Sequence, residues 1–322
     1  MRSQDAAVAN LRPLGTGLHR PESVLCTADG SVWTSDWRGG VTRIEPDGTQ
    51  TAFLCSDASL GLRPNGIALL PDRSFLLANL GQGGGVWRLL RDGTARPFLL
   101  TVGDQTLPPS NFVLIDRQMR TWISVSTRHQ PRHLAYRPDV ADGFIVLVDD
   151  AGARVVAEGL GYTNEMQVDA AGETLLVNET FGRRLTRFRI GAGGSLSRGE
   201  IVAEFGSGTY PDGLCCDSAN GIWITSPVSN RIIRVDRGGE QSAFFEDADR
   251  DHVAWVEQAF QSGTMGPPHL EKGGKTRLRN LSSLAFGGPD LRTAYLGSLQ
   301  GTSVETMRLP VAGAEPVHWT WM

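Results

Sequence analysis

The chain has 322 residues, with 31 basic and 35 acidic side chains, a net charge of −4 and no basic block. That balance speaks against nucleic acid or an anionic membrane surface as a partner and leaves a small molecule as the expected one. No uncharged apolar run is long enough to span a bilayer, and the opening residues MRSQDAAVANLRPLG lack the apolar core of a secretory signal, so the chain reads as cytoplasmic.

Thirty-nine glycines, many in Asp-Gly or Gly-Gly pairs, divide short runs rich in Val, Ile, Leu and Trp. This is the punctuation of strands and tight turns. From the N-terminal end, PESVLCTADG, SVWTSDW, VTRIEPDG and TQTAFL give four short strands. PNGIALLPD, SFLLANL, GVWRLLRDG and TARPFLL repeat the scheme, and PDGLCCDSANG, IWITSP, RIIRVDRGG and EQSAFF repeat it again further on. Four strands per unit make a propeller blade.

Six units align on one oxygen-bearing residue ahead of an apolar run: Glu22, Asn65, Asn111, Asn164, Asp212 and Ser282. Eleven positions after each of the first five comes Trp33, Leu76, Trp122, Leu175 or Trp223, and Tyr295 follows Ser282 by thirteen. Successive intervals are 43, 46, 53, 48 and 70 residues, near the length of one blade apart from two insertions. The expected fold is therefore all-β, one six-bladed β-propeller domain over residues 1–322 with four antiparallel strands per blade. Its insertions fall at about 126–142 and 246–279. Blade 6 can take its fourth strand from EPVHW or from the segment before Pro21, and both closures stay open.

In a propeller, the loop between the second and third strands and the link between blades lie on the mouth where the inner strand begins. Both insertions should therefore overhang the six aligned residues. Val253, Val256, Ala259 and Phe260 recur at helical spacing in the second, predicting one amphipathic helix that serves as a lid or as a homodimer contact.

Equivalent positions face one axis, so Glu, Asn, Asn, Asn, Asp and Ser describe a ring of oxygen ligands. Asp or Asn ahead of a strand often only bonds its own turn, but agreement at six positions, two of them acids, favours a shared site. Carboxylate and amide oxygens without His or Cys suit one hard divalent cation, with calcium ahead of magnesium, manganese or iron(II), and argue against zinc. Glu22 and Asp212 balance the charge. Asn164 and Asn111 add neutral oxygens, while Asn65 and Ser282 face substrate or water.

The first insertion carries Arg128, His129, Arg132, His133, Tyr136 and Arg137, a cluster suited to an anionic substrate, from which Arg128 and His133 are the expected contacts. A solvated loop paired with Asp139 and Asp142 is the competing explanation. His129 and His133 have a ligand spacing, but Pro131 between them breaks the helix it requires. Gly81 to Gly85 is a hairpin loop and not a phosphate cradle, and GxSxG is absent. Cys26, Cys55, Cys215 and Cys216 show no CxxC spacing and read as reduced thiols.

The segments RPESVLCTADGSVWTSDW, GYTNEMQVDAAGETLLVNETFGRRLTRFRI, YPDGLCCDSANGIWITS and LAFGGPDLRTAYLGS resemble the gluconolactonase and senescence-marker-protein family of regucalcin-like six-bladed propellers. The resemblance covers nearly the whole chain. It implies one divalent cation on Glu22, Asn164 and Asp212, with Asn111 beside it as ligand or substrate contact. It also implies metal-dependent hydrolysis of a small lactone or ester, with Asp212 as the expected general base. Related propellers hydrolyse phosphotriesters or condense amines with aldehydes, and other propellers are binding modules without catalysis, so these stand as alternatives. The chain departs from the family where Asn-Asp becomes Asn111-Phe112, Asn-Gly becomes Asn164-Glu165 and Glu-Gly becomes Glu22-Ser23. Phe112 points to a less polar substrate than a sugar lactone.

Overall fold

The computed structural model describes residues 8–272 and 275–321, so the opening heptapeptide and Gly273 and Gly274 of the second insertion lie outside the described residues. Six four-stranded antiparallel sheets follow one another around a central channel. Their inner strands are Val24–Cys26, Pro64–Leu69, Phe112–Ile115, Thr163–Val168, Leu214–Cys216 and Leu281–Gly287. Each begins at the mouth that carries the aligned oxygen residues and runs down the channel.

Of the two closures left open, the N-terminal one is realised. Arg12–Leu14 pairs antiparallel with Val304–Arg308, Arg12 facing Thr306 and Leu14 facing Val304, and supplies the outer strand of blade 6. Both ends of the propeller thus meet in one sheet. EPVHW forms turns instead and crosses the far end of the channel. There Ser218 N–H donates to the Ala312 carbonyl and Ala314 N–H to that of Cys216, in blade 5, while Ala28 N–H of blade 1 donates to that of Trp319. Trp321 ends packed beside blades 2 and 3.

The aligned large residues fill the spaces between sheets. Trp33, Trp122, Leu76, Leu175 and Trp223 are all buried. The indole N–H groups of Trp122 and Trp223 donate to Asp116 and Asp217 at 2.8 and 2.9 Å. These two acids, with Asp29 and Asp72, form a second repeat at the far ends of the inner strands. Each accepts backbone N–H groups of its own turn and pairs with an arginine, Arg43, Arg88, Arg120 or Arg234. The turn and the sheet are locked by one carboxylate.

Both insertions pack over the mouth above blades 3 to 5. The helix spans Arg250–Gln261, and Asp249 caps it by accepting from the N–H groups of Asp251 and His252. Its apolar face, Val256, Ala259 and Phe260, is buried with Phe181, Tyr210 and Val228 of the blades and Ala135 of the first insertion. Trp255, on the outer side, stacks on His269 with ring centroids 4.1 Å apart.

Beneath the mouth the inner strands and the C-terminal segment enclose a cavity of about 460 Å³, lined among others by Glu165, Cys215, Phe286, Pro316 and His318. Burial pushes the His318 imidazole down to about 4, against the pull of its bond to the Cys26 backbone. A histidine held neutral in the fold adds stability above its unfolded pKa of about 6.5 and loses it as pH falls toward 4, a contribution of up to about 3 kcal/mol. Acidification from pH 7 to 4 should therefore release the C-terminal segment, reported by fluorescence of Trp319 and Trp321, and His318→Gln should remove that step. An identical transition in the variant would rule His318 out as its cause.

Candidate metal and substrate site

The ring positions sit where the inner strands begin, and three of them interrupt regular pairing. Register shifts fall between Pro64 and Ile67, between Thr163 and Met166, and between Leu281 and Ser283, which bracket Asn65, Asn164 and Ser282. A bulge re-aims a side chain that the pleat would otherwise send between the sheets. Glu22, Asn111 and Asp212 reach equivalent places by lying just ahead of their strands. All six residues are buried.

Their hydrogen bonds sort them into different roles. Asn65 Nδ2 donates to Asn111 Oδ1 at 2.8 Å and to the Asn111 carbonyl at 3.1 Å, and Asn111 Nδ2 donates to Ser126 Oγ at 2.8 Å. Asn164 Nδ2 donates to Thr180 Oγ1 at 2.9 Å, and that hydroxyl donates to the Pro211 carbonyl. Asn164 Oδ1 and Asn65 Oδ1 are left buried with no partner among the described residues. Ser282 directs its hydroxyl to the Glu22 carbonyl at 3.3 Å and is spent on the backbone.

Glu22 accepts from Arg20 Nε at 2.8 Å. Asp212 is only 6% exposed, and its carboxylate accepts no hydrogen bond from the described residues. Burial raises its pKa well above the usual carboxylate range, and the nearby Glu22 and Glu165 push the same way against Arg20 and Arg132. Glu165 is itself pushed up to about 8 by burial, although Leu214 N–H donates to it at 3.0 Å. Three acids thus crowd the channel beneath two guanidinium groups.

The first insertion is arranged differently from the expected contacts. Arg128 turns outward to Glu158 at 3.1 Å and lies over the Phe144 ring, and His133 packs edge-on against Tyr136. His129 pairs with Asp142. Arg132 is the side chain that faces the ring: its Nε donates to Tyr162 Oη at 2.8 Å and its Nη2 to Ser126 Oγ at 3.2 Å. Glu165 and Arg20 stand at the site without a role in the sequence expectations, and Arg132 entered them only as one member of the loop cluster. The Asn164-Glu165 departure was the signal for the first, and no spacing distinguished Arg132 from its neighbours. Among the described residues no three His, Cys, Asp or Glu side chains converge as metal ligands. The available donor set is two carboxylates with amide oxygens.

Residues 56–246 match the model of the SMP-30/gluconolactonase/LRE-like family. The chain belongs to this family. The propeller is similar to the gluconolactonase of Xanthomonas campestris, at 17% identity over 96% of this chain and 93% of that one, with a TM-score of 0.67. It is also similar to the calcium-binding regucalcin of Agrobacterium tumefaciens, at 17% identity over 94% and 93% and a TM-score of 0.67. A luciferin-regenerating enzyme superposes at 15% identity over 94% and 95%, with a TM-score of 0.69. At these identities the solved structures share the six-bladed fold, and they leave the chemistry to the residues of this chain. Among the described residues no helix is long and apolar enough to cross a membrane, and all four cysteines are free.

Proposed function

We propose that this family member hydrolyses a small lactone or ester with one divalent cation, calcium first, held by Glu22, Asp212 and Asn164, with Asn111 beside it. One observation carries the reading. Among the described residues, Asp212 has no hydrogen-bond donor and Asn164 has a carbonyl oxygen left unpartnered, and both residues are buried in the channel with Glu22. Buried acceptors so placed are costly unless something electropositive satisfies them, and a hard cation takes such oxygens. Asn164 is already oriented for this by Thr180, which holds its amide nitrogen. A gluconolactonase and a calcium-binding protein among the similar structures agree with the reading.

A bound cation would supply Lewis-acid polarisation of the substrate carbonyl. The chain's own part is to place and deprotonate water. Asp212 is the group to take that proton, since Glu22 is engaged by Arg20. Asn111 is held rigidly between Asn65 and Ser126, so its amide offers a fixed contact for the substrate. Phe112 lines the channel directly below, which favours a lactone or ester whose body beside that ring is less polar than a sugar.

The test is hydrolysis of sugar lactones, aliphatic lactones, aryl esters and phosphotriesters by metal-stripped protein, with calcium, magnesium, manganese, zinc or iron(II) restored singly. Turnover of lactones or esters returning with one cation is the expected result. Cation binding with no ester or lactone turnover would sink the hydrolase assignment.

A further inference from the structure

We infer that Arg132 is a specificity-determining residue for an anionic oxygen group, carboxylate or phosphate, on the molecule bound at the ring. The inference rests on the proposed cation and names the class of ligand that accompanies it.

Most arginines around this mouth are already neutralised. Arg20 pairs with Glu22, Arg128 with Glu158, Arg137 with Asp139 and Arg183 with Glu257. Arg132 has no carboxylate within ion-pair distance among the described residues, and its hydrogen-bond partners are two hydroxyls, Tyr162 Oη and Ser126 Oγ. Its Nη1 makes no hydrogen bond among them. A guanidinium held by neutral partners, with part of its donor fork unused, is prepared for an anion.

Its position ties it to the ring. Ser126 Oγ takes the Arg132 donor and also the Asn111 amide N–H, so one hydroxyl separates the arginine from the substrate contact proposed above. Tyr162, which holds Nε, lies two residues ahead of Asn164 and adopts a left-handed backbone with φ of 69°. That conformation is unusual for an aromatic residue. Its ring also lies under the guanidinium, 5.3 Å from centroid to Cζ, and against Tyr136 and Phe181. The side chain is thereby fixed in a partly desolvated wall where its charge is weakly screened.

The charges of the site lead to the same ligand. With a divalent cation at the ring, Glu22 and Asp212 are offset by Arg20 and Arg132, and the charge of the cation is left over. Even an ionised Glu165 leaves the site net positive. A neutral lactone would not compensate this, whereas a substrate bearing a carboxylate or phosphate would, as would the hydroxy acid formed by ring opening.

The experiment is equilibrium titration of the intact chain with 4-hydroxybutyrate, its neutral amide and inorganic phosphate, with and without calcium, using wild type, R132Q and R132K. Wild type should prefer the anions to the amide. R132Q should bind them about 10- to 100-fold more weakly and lose the preference, the scale of a lost charge-assisted hydrogen bond. R132K keeps the charge without the planar fork and should fall between; it also serves as the test if R132Q does not fold. Calcium affinity, measured on the same samples, should hold or rise, because Arg132 bonds neither carboxylate and its charge opposes that of a cation. Equal anion affinity in wild type and R132Q, or no preference in wild type, would overturn the inference. So would a fall in calcium affinity as large as the fall in anion affinity. Since binding is read without turnover, a failed hydrolysis assay would remove the lactonase reading and leave this result standing.

Discussion

Replacing Asp212 by Asn should bring hydrolysis to the background rate, weaken divalent-cation binding by at least about 100-fold, and make the metal-free protein more stable. The first two effects follow from removing one of the two negative charges proposed to hold the cation, together with the group proposed to take a proton from water. The third follows from electrostatics without any cation. Asp212 is buried, accepts no hydrogen bond from the described residues, and has Glu22 and Glu165 for neighbours. An amide of the same shape removes that repulsion and the cost of burying a charge, a gain of about 1–2 kcal/mol, or a few degrees in melting temperature. A site that costs stability when empty and functions when filled is what a binding role predicts. Thermal melting with and without calcium decides. If the wild type gains nothing from calcium, or D212N responds to it as the wild type does, Asp212 is not a ligand. If metal-free D212N is less stable than the wild type, the carboxylate has a structural partner that the geometry does not provide.

The blade repeat was readable because a propeller imposes one spacing on every unit. A large residue eleven positions past the ring must fill the gap between sheets, and Trp33, Trp122 and Trp223 do so. The same regularity revealed the ring, since position on the inner strand alone determines which residue meets the axis. Closure was not readable. Arg12–Leu14 is too short to show alternation, while the apolar residues of EPVHW are there to cap the channel and mimic a strand. Side-chain direction inside the first insertion was equally hidden. Arg128 and Arg132 share a loop without periodicity, and which one turns inward depends on Tyr162 and Ser126, brought near only by the fold. Glu165 stood out as a departure from the family pattern, yet its burial follows from the bulge between Thr163 and Met166, which no hydrophobic pattern announces. Ser282 carried the right atom in the right place and then spent it on the Glu22 carbonyl.

Replacing Glu257 by Gln should destabilise the protein by about 3–5 kcal/mol, the cost of leaving one member of a buried ion pair alone. The helix that bears Glu257 rests on the blades through this carboxylate. It accepts from Arg183 at 3.0 and 2.5 Å, from Gly208 N–H at 2.9 Å and from Gln261 at 2.9 Å. Burial raises its pKa, but the bonds from Arg183, Gly208 and Gln261 outweigh that and hold it down at about 2. The Arg183 guanidinium lies 4.1 Å from the Phe260 ring centroid and 4.6 Å from that of Tyr210. Without its carboxylate it would stay charged among aromatic rings. The lowered pKa fixes the pH dependence: the stabilisation is complete above the unfolded value of about 4.3 and is lost as pH falls toward 2. Urea unfolding at pH 7 should therefore separate the wild type from E257Q by several kcal/mol, and the separation should shrink toward pH 2. Hydrogen exchange should place the early opening in residues 250–261 and in the aromatic wall they cover. Removing both partners tests the cause. R183M combined with E257Q should recover part of the loss, because the uncompensated charge is gone. A double variant no more stable than E257Q would mean that the helix is held by its apolar face, Val256, Ala259 and Phe260, with the ion pair contributing only direction.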